Sequence, residues 1–317
     1  MTDKTYGLAG KRVWVAGHRG MVGKALIRRL QTEGCTLLTV DHAALDLTRQ
    51  AETEAWLAEA KPDAIFLAAA KVGGIAANMA QPADFLFDNL AIEMNIIRTA
   101  WKIGVEKLMF IGSSCIYPRA AAQPVSESAL LSGFPEPTNE AFAVAKIAGI
   151  KLCEAYHQQH GANFISVIPA NLFGPGDNFD PHHSHVPAAL MRRFHEARIA
   201  DLASTEIWGT GTPRREFLYV DDLADACVFL MHAYSGREPI NIGTGADISI
   251  AEFADCMRKV TNYSGEIRYD TSKPDGMPRR LLDSSKLAAL GWQPKMALED
   301  GLRQTYAWFL NDIAHTA

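Results

Sequence analysis

The stretch Arg12-Val13-Trp14-Val15-Ala16-Gly17-His18-Arg19-Gly20-Met21-Val22-Gly23 decides the fold. It opens as a short apolar run closed by glycine, the pattern of a strand buried on both faces. Residues 21–33 then place Val22, Ala25, Leu26, Ile27 and Leu30 roughly on one helical face, and Gly34 supplies a stop. Residues 35–40 read as a second strand, so the chain opens with a βαβ unit. Gly17 permits the tight turn out of the strand, Gly20 lets backbone approach a pyrophosphate, and Gly23 lets helix pack closely on strand. The helix N-terminus would offer free N–H groups and partial positive charge to the phosphates. The spacing is Gly-x-x-Gly-x-x-Gly rather than G-x-G-x-x-G, so the flanking strand and helix carry the assignment. Gly17, His18, Arg19, Gly20, Met21, Val22 and Gly23 are therefore expected to hold a dinucleotide.

Outward from that unit the alternation repeats. Strands are expected at 64–70, 107–112 and 163–169, with helices at 83–103 and 140–160. Such alternation predicts an α/β fold, a doubly wound, mostly parallel, Rossmann-type sheet. Past Asn171-Leu172-Phe173-Gly174-Pro175-Gly176-Asp177 come short helices, turns and isolated strands, among them Ile240-Asn241-Ile242-Gly243. The expected division is a dinucleotide-binding domain over 1–175 and a smaller, mainly substrate-binding region over 176–317, with later segments returning to the first.

Composition narrows the partners. With 31 basic against 36 acidic residues, a net charge of -5 and no basic run, neither nucleic acid nor an anionic membrane is expected. Met1-Thr2-Asp3-Lys4-Thr5-Tyr6 lacks a signal-peptide layout, and no apolar run is long enough to span a bilayer. Cys35, Cys115, Cys153, Cys227 and Cys256 are odd in number and scattered, which fits a reducing cytoplasm. The run Asp180-Pro181-His182-His183-Ser184-His185 lacks a partner cysteine or helical spacing, so no metal is expected, and His182 and His183 read as solvated.

Two residues pull on the identity of the dinucleotide. Arg19, inside the glycine loop, suits a 2′-phosphate, whereas Asp41, placed at the end of the second strand, suits a ribose 2′-hydroxyl. The balance favours NADP(H), with NAD(H) the alternative.

A catalytic frame lies further along. Ala141-Phe142-Ala143-Val144-Ala145-Lys146 is spaced like a Tyr-x-x-x-Lys pair with the tyrosine oxygen deleted. Residues four apart share a helix face, so position 142 and Lys146 stand side by side. Ser113, in Gly112-Ser113-Ser114-Cys115-Ile116-Tyr117-Pro118, falls at the carboxyl end of a strand, where open α/β sheets place ligands. Carbonyl reduction needs an acid at the oxygen, and a lysine and a serine assist it.

Taken together, these segments resemble the extended short-chain dehydrogenase/reductase family. Within it the wording is similar to the GDP-L-fucose synthases, which epimerise C3 and C5 and reduce C4 of GDP-4-keto-6-deoxy-D-mannose. The residues that carry the likeness run from about 11 to 310. They include Ala68-Ala69-Ala70-Lys71-Val72-Gly73-Gly74-Ile75, Glu136-Pro137-Thr138-Asn139-Glu140 and Ala145-Lys146-Ile147-Ala148-Gly149-Ile150-Lys151. Asp177-Asn178-Phe179, Ser184-His185-Val186 and Ser272-Lys273-Pro274-Asp275-Gly276 extend it. The resemblance implies Cys115 as base and His185 as acid for epimerisation, Ser113 at the C4 oxygen and Lys146 orienting the cofactor. It implies Pro169, Ala170, Asn171, Leu172 and His185 around the nicotinamide, and Arg193, Trp208, Arg215 and Asp275 on the GDP-sugar. It also implies a homodimer, built from the helix bearing Leu90, Met94, Ile97 and Trp101 and the helix that follows Phe142.

Phe142 departs from the family pattern, which has the proton-donating tyrosine there. Ser113 and Tyr117 are the other hydroxyls at hand. Two further readings stay open: the same chemistry on another GDP-4-keto-sugar (colitose or heptose pathway), or a weakened protein that binds cofactor and nucleotide sugar. The residues also have blander readings. Cys115 suits a small buried position, Trp208 suits a core, and Arg192-Arg193 and Arg214-Arg215 suit a surface.

Overall fold

The computed structural model describes residues 6–180, 184–273 and 275–312. The first half runs β1 (Arg12–Ala16), α1 (Met21–Leu30), β2 (Thr36–Leu38), α2 (Gln50–Ala60) and β3 (Ala64–Leu67). It continues with α3 (Ile75–Ala80), α4 (Pro82–Lys102), β4 (Lys107–Ile111), α5 (Glu140–His160) and β5 (Phe164–Pro169). β1, β3, β4 and β5 are apolar on both faces and almost wholly buried, as parallel strands between two helical layers must be, whereas the edge strand β2 is partly exposed. Next come β6 (Asn171–Phe173), α6 (Val186–Ile199), β7 (Ser204–Trp208), β8 (Arg214–Arg215), β9 (Phe217–Tyr219), α7 (Val220–Ala233) and β10 (Ile240–Ile242). The chain closes with β11 (Ile248–Ser249), α8 (Ile250–Thr261), β12 (Glu266–Asp270), β13 (Arg279–Arg280), α9 (Ser285–Ala289) and α10 (Leu298–Asp312).

The main sheet has the order β10-β5-β4-β3-β1-β2, and every pairing is parallel. After β1 the chain steps outward to β2 and then returns past β1 to β3, so the order reverses between β1 and β3. A crevice opens at their carboxyl ends, the usual ligand position in such sheets. Ile240–Ile242, expected as an isolated strand, is instead the edge strand of this sheet, in register with Val167, Ile168 and Pro169. The first helix stops at Leu30 rather than at 33, and β2 covers only Thr36–Leu38, which leaves Asp41 in the loop beyond it. An edge strand makes hydrogen bonds on one side only, and this one stays short.

Two apolar cores follow. One surrounds the six strands, with Trp14, Phe66, Phe110 and Phe164 fully buried. The other lies among α6, α8 and α10, where Phe194, Phe253 and Phe309 meet Phe173 and Phe217. Phe217 stacks on Phe253 with ring centroids 4.1 Å apart. The pair β6–β9 and the small sheet β11-β8-β13 pass between the two cores and carry the residues of the cleft.

Candidate active site

The glycine loop is shaped by close approach. Gly17 has φ +84°, and a Cβ there would sit 2.7 Å from the backbone of Ala69, which follows β3. A Cβ on Gly23 would come within 2.6 Å of His18 Cα. Gly20 differs: the nearest atom to a Cβ there is Gly17 O at 3.6 Å, so it leaves space for a ligand rather than for protein. No side chain caps the start of α1, so its first N–H groups stay open to an anion at the crevice. These features fit a dinucleotide pyrophosphate.

Arg19 and Asp41, rivals in the sequence, are partners in the structure. Arg19 Nη2 lies 2.6 Å from Asp41 Oδ2, and His18 Nε2 lies 3.2 Å from Asp41 Oδ1. A ribose 2′-phosphate would therefore compete with a carboxylate for Arg19.

On the other side of the crevice, Ala170 N donates to Ile242 O at 2.9 Å, fixing the backbone after Pro169. Asn171 Nδ2 donates to Glu216 O at 3.0 Å. Glu216 is buried, and its carboxylate accepts the N–H groups of Thr244, Gly245 and Leu282 at 2.7, 2.8 and 2.9 Å. One side chain thus ties the Pro169–Leu172 lining to the loop after β10 and to the segment after β13.

The reduction frame assembles at the end of β4. Ser113 caps a short 3₁₀ turn, its Oγ 3.5 Å from Cys115 N, and both side chains are half-buried. On α5, Phe142 and Lys146 lie one turn apart, with Lys146 Nζ 5.9 Å from the Phe142 ring centroid and 4.6 Å from that of Phe110. The same ammonium is 3.0 Å from Glu93 Oε1 on α4. Phe142 meets Phe85 edge-on at 6.4 Å. Tyr117 cannot replace the missing donor, because it is fully buried and its hydroxyl donates to Asn241 Oδ1 at 2.6 Å.

Electrostatics sets the resting protonation of the other pair. Burial pushes the Cys115 thiol up, opposed by Ser113 and by the cations Arg280 and Lys146. His185, on the residue before α6, has solvent-accessible surface yet is walled by protein, as a cleft residue is, and that desolvation lowers its pKa. The free chain therefore rests with a neutral thiol and a neutral imidazole.

The expected sugar-nucleotide residues fall on the second core. Arg193 Nη1 donates to Glu206 O at 2.6 Å on β7, and Trp208, at the end of that strand, is 62% exposed rather than in a core. Asp275 accepts from Thr210 N at 2.6 Å and from Thr210 Oγ1 at 2.9 Å, which fixes the loop after Trp208. The paired arginines divide their work. Arg192 binds Glu196 and Phe179 O, and Arg214 binds Asp247 and Glu252, while Arg215 faces inward.

Arg280 escaped the sequence reading. It stands in register with Arg215 on the neighbouring strand, is 6% exposed, and its Nη1 has no hydrogen-bond partner among the described residues. Burial lowers the pKa of both guanidinium groups, and each also feels the other's charge or that of nearby acids such as Glu136. Among the described residues neither cation is paired with a carboxylate, and two such groups near Cys115 would suit an anionic ligand. His182, His183 and Pro274 lie outside the described residues; among the described ones, no cluster of His, Cys, Asp or Glu could hold a metal ion.

Residues 13–243 match the NAD dependent epimerase/dehydratase family. The chain belongs to that family. It is 56% identical over 309 residues to a GDP-L-fucose synthase of Sinorhizobium fredii, covering 98% of each chain. With GDP-L-fucose synthase 1 of Arabidopsis thaliana it shares 55% over 316 residues, 99% of this chain and 96% of that one. A crystal structure of a GDP-L-fucose synthetase from Naegleria fowleri bound to NADP superposes with a TM-score of 0.91 at 28% identity, covering 100% of this chain and 99% of that one. Within the family, the doubly wound sheet and the crevice after β1 and β3 are the shared scaffold.

Proposed function

We propose that the chain is an NADP(H)-dependent enzyme of the GDP-L-fucose synthase type, whose reductase step is impaired by Phe142. The observation that carries this is Lys146 held one helical turn from Phe142, close to the Ser113–Cys115 turn. The likeness to named GDP-L-fucose synthases over nearly the whole chain supports the substrate class. Residues 1–175 would hold the cofactor and 176–317 mainly the GDP-sugar, with Arg193, Arg215 and Asp275 on the nucleotide and Trp208 beside it.

The residues suit the chemistry in order. A C4 ketone acidifies the protons on C3 and C5, so a single pair, Cys115 and His185, can serve both carbons. Ser113 would donate to the C4 oxygen as negative charge develops there. Lys146 would hold the cofactor ribose and keep positive charge near that oxygen. Bound NADPH would supply the hydride for C4. Phe142 offers no proton, so reduction lacks its general acid.

No helix of the described residues is long and apolar enough to cross a membrane, and a cytoplasmic location is part of the proposal. So is a homodimer. On α4, Phe87, Met94 and Trp101 are exposed and Val144 is exposed on the adjoining α5, whereas Ile97, expected on that face, is fully buried in the core.

The test is incubation with GDP-4-keto-6-deoxy-D-mannose and NADPH in heavy water. Deuterium entering the sugar with little NADPH oxidation supports the reading. If the sugar gains no deuterium and shows no binding, the proposal fails. Binding without deuterium would favour a weakened binding protein instead.

A further inference from the structure

Glu93 has no place in the function described so far, yet its carboxylate is 1% exposed in the middle of α4. A buried carboxylate is costly unless something answers its charge. Burial raises the Glu93 pKa, and what opposes that and answers the charge is Lys146, at 3.0 Å across the α4–α5 interface. Neither carboxylate oxygen has a well-aligned hydrogen-bond partner among the described residues, so the ion pair is its only strong interaction there. The helices pack closely around it: a Cβ on Gly149 would meet the Phe110 ring first and would lie 2.7 Å from Glu93 Oε2. The rings of Phe110 and Phe142 wall the ammonium on other sides.

We infer that Glu93 is a positioning residue for Lys146: it anchors the ammonium and balances its charge, so that a hydroxyl at position 142 stays protonated and able to act as an acid. A lone ammonium beside a phenol favours the phenolate, and a phenolate has no proton to give. The titratable groups around the Glu93–Lys146 pair are Cys153 on α5, which feels Glu93, and Cys115 after β4, which feels Lys146 and Arg280 on β13. Only Glu93 is an anion in contact with Lys146 among the described residues.

The inference rests on reading position 142 as the donor's place, but it can be tested without substrate or turnover. The Phe142→Tyr protein titrated against the Phe142 chain as blank gives a difference absorbance at the phenolate band, which reports one tyrosine. In that background, Glu93→Gln should lower the midpoint by about one pH unit or more, a nearby-charge effect, while Glu93→Asp should hold it within about half a unit. An unchanged or raised midpoint in the Glu93→Gln protein overturns the inference. Should Glu93→Gln not fold, the double variant Glu93→Gln/Lys146→Met buries no unpaired charge and decides. Its midpoint should then lie within about half a unit of that of the Phe142→Tyr parent, because balanced charges are removed together, and a larger rise overturns the inference. A merely structural Glu93 would alter melting temperature, leave the Glu93→Gln midpoint in place and let the midpoint of the double variant rise. Failure of the enzymatic reading would appear separately, as absent deuterium exchange with these midpoints unaffected.

Discussion

Arg19 Nη2 rests 2.6 Å from Asp41 Oδ2 at the mouth of the dinucleotide crevice. The pair bears on cofactor preference by exchange: a 2′-phosphate must draw Arg19 from Asp41, a cost that its own charge-assisted contact with Arg19 has to exceed, whereas a 2′-hydroxyl leaves the pair intact. NADPH should bind tighter than NADH, and Arg19→Ala should erase most of that gap, on the order of 1–3 kcal/mol. Asp41→Asn frees Arg19 and removes a repulsive anion, so NADPH should tighten by roughly tenfold while NADH weakens. Fluorescence titration of both cofactors checks this. Equal dissociation constants for NADPH and NADH in the unmodified chain would refute it.

Burial holds the Cys115 thiol protonated at neutral pH, with Arg280 among the groups resisting. Alkylation of the Cys115 peptide by iodoacetamide should therefore be slow near neutrality and accelerate only in the alkaline range. Arg280→Met removes a cation that stabilises the thiolate, so the midpoint should move up by roughly half a unit to a unit. A midpoint that does not move would separate Arg280 from the active site.

The fold was legible because its signals are local. Trp14 and its neighbours read as a buried strand, Gly17 and Gly23 as close approaches, and residues 140–160 as one helix, which is α5 from end to end. α2 gave no such signal: it buries only Thr53 and Leu57, too little for an apolar stripe. The local sequence of Pro278-Arg279-Arg280 reads as a polar turn, and Arg280 becomes buried only because β13 pairs with β8, some 65 residues earlier (280 − 215). Glu93 lies between Ile92 and Met94 and looks solvated until Lys146 arrives from another helix. Charged groups whose partners are distant in sequence are what a single chain conceals.

Asp225 should carry part of the acid stability. Burial acts to raise its pKa, but hydrogen bonds from Arg29, Trp292 and Lys295 hold it down at about 2. A depressed carboxylate contributes stability that is fully present above its unfolded pKa, about 4, and lost as pH falls toward 2. Asp225→Asn should cost about 1–2 kcal/mol near pH 7 by urea denaturation. The gap should narrow steadily as pH falls from about 4 to 2, as Asp225 takes up its proton and comes to match the neutral asparagine. A gap that is constant over that range would assign the loss to packing.

For the homodimer, the exposed Phe87 and Met94 supply the lever. Light scattering at micromolar protein should give twice the 34.7 kDa chain mass. Phe87→Glu with Met94→Glu should shift the protein to monomer by charging a surface that must dry on pairing. A monomer mass for the unmodified chain ends the proposal.

Phe142 remains the decisive position. Losing a general acid typically costs roughly 10²- to 10⁴-fold in rate while binding persists. The chain should therefore bind NADPH and GDP-sugar with ordinary affinity and oxidise NADPH very slowly. Exchange at C3 and C5 depends on Cys115 and His185 rather than on position 142, so deuterium wash-in should outpace reduction. Phe142→Tyr places a hydroxyl one helical turn from Lys146, whose ammonium already stands 5.9 Å from the ring centroid. It should raise NADPH oxidation with the 4-keto substrate by at least about a hundredfold, within the general-acid range. Lys146→Met in the same background should remove most of that gain, because the new tyrosine would lose its cation. If the tyrosine protein turns over no faster than the phenylalanine one, position 142 is not where the proton comes from, and the assignment of Ser113 and Lys146 to the C4 oxygen falls with it.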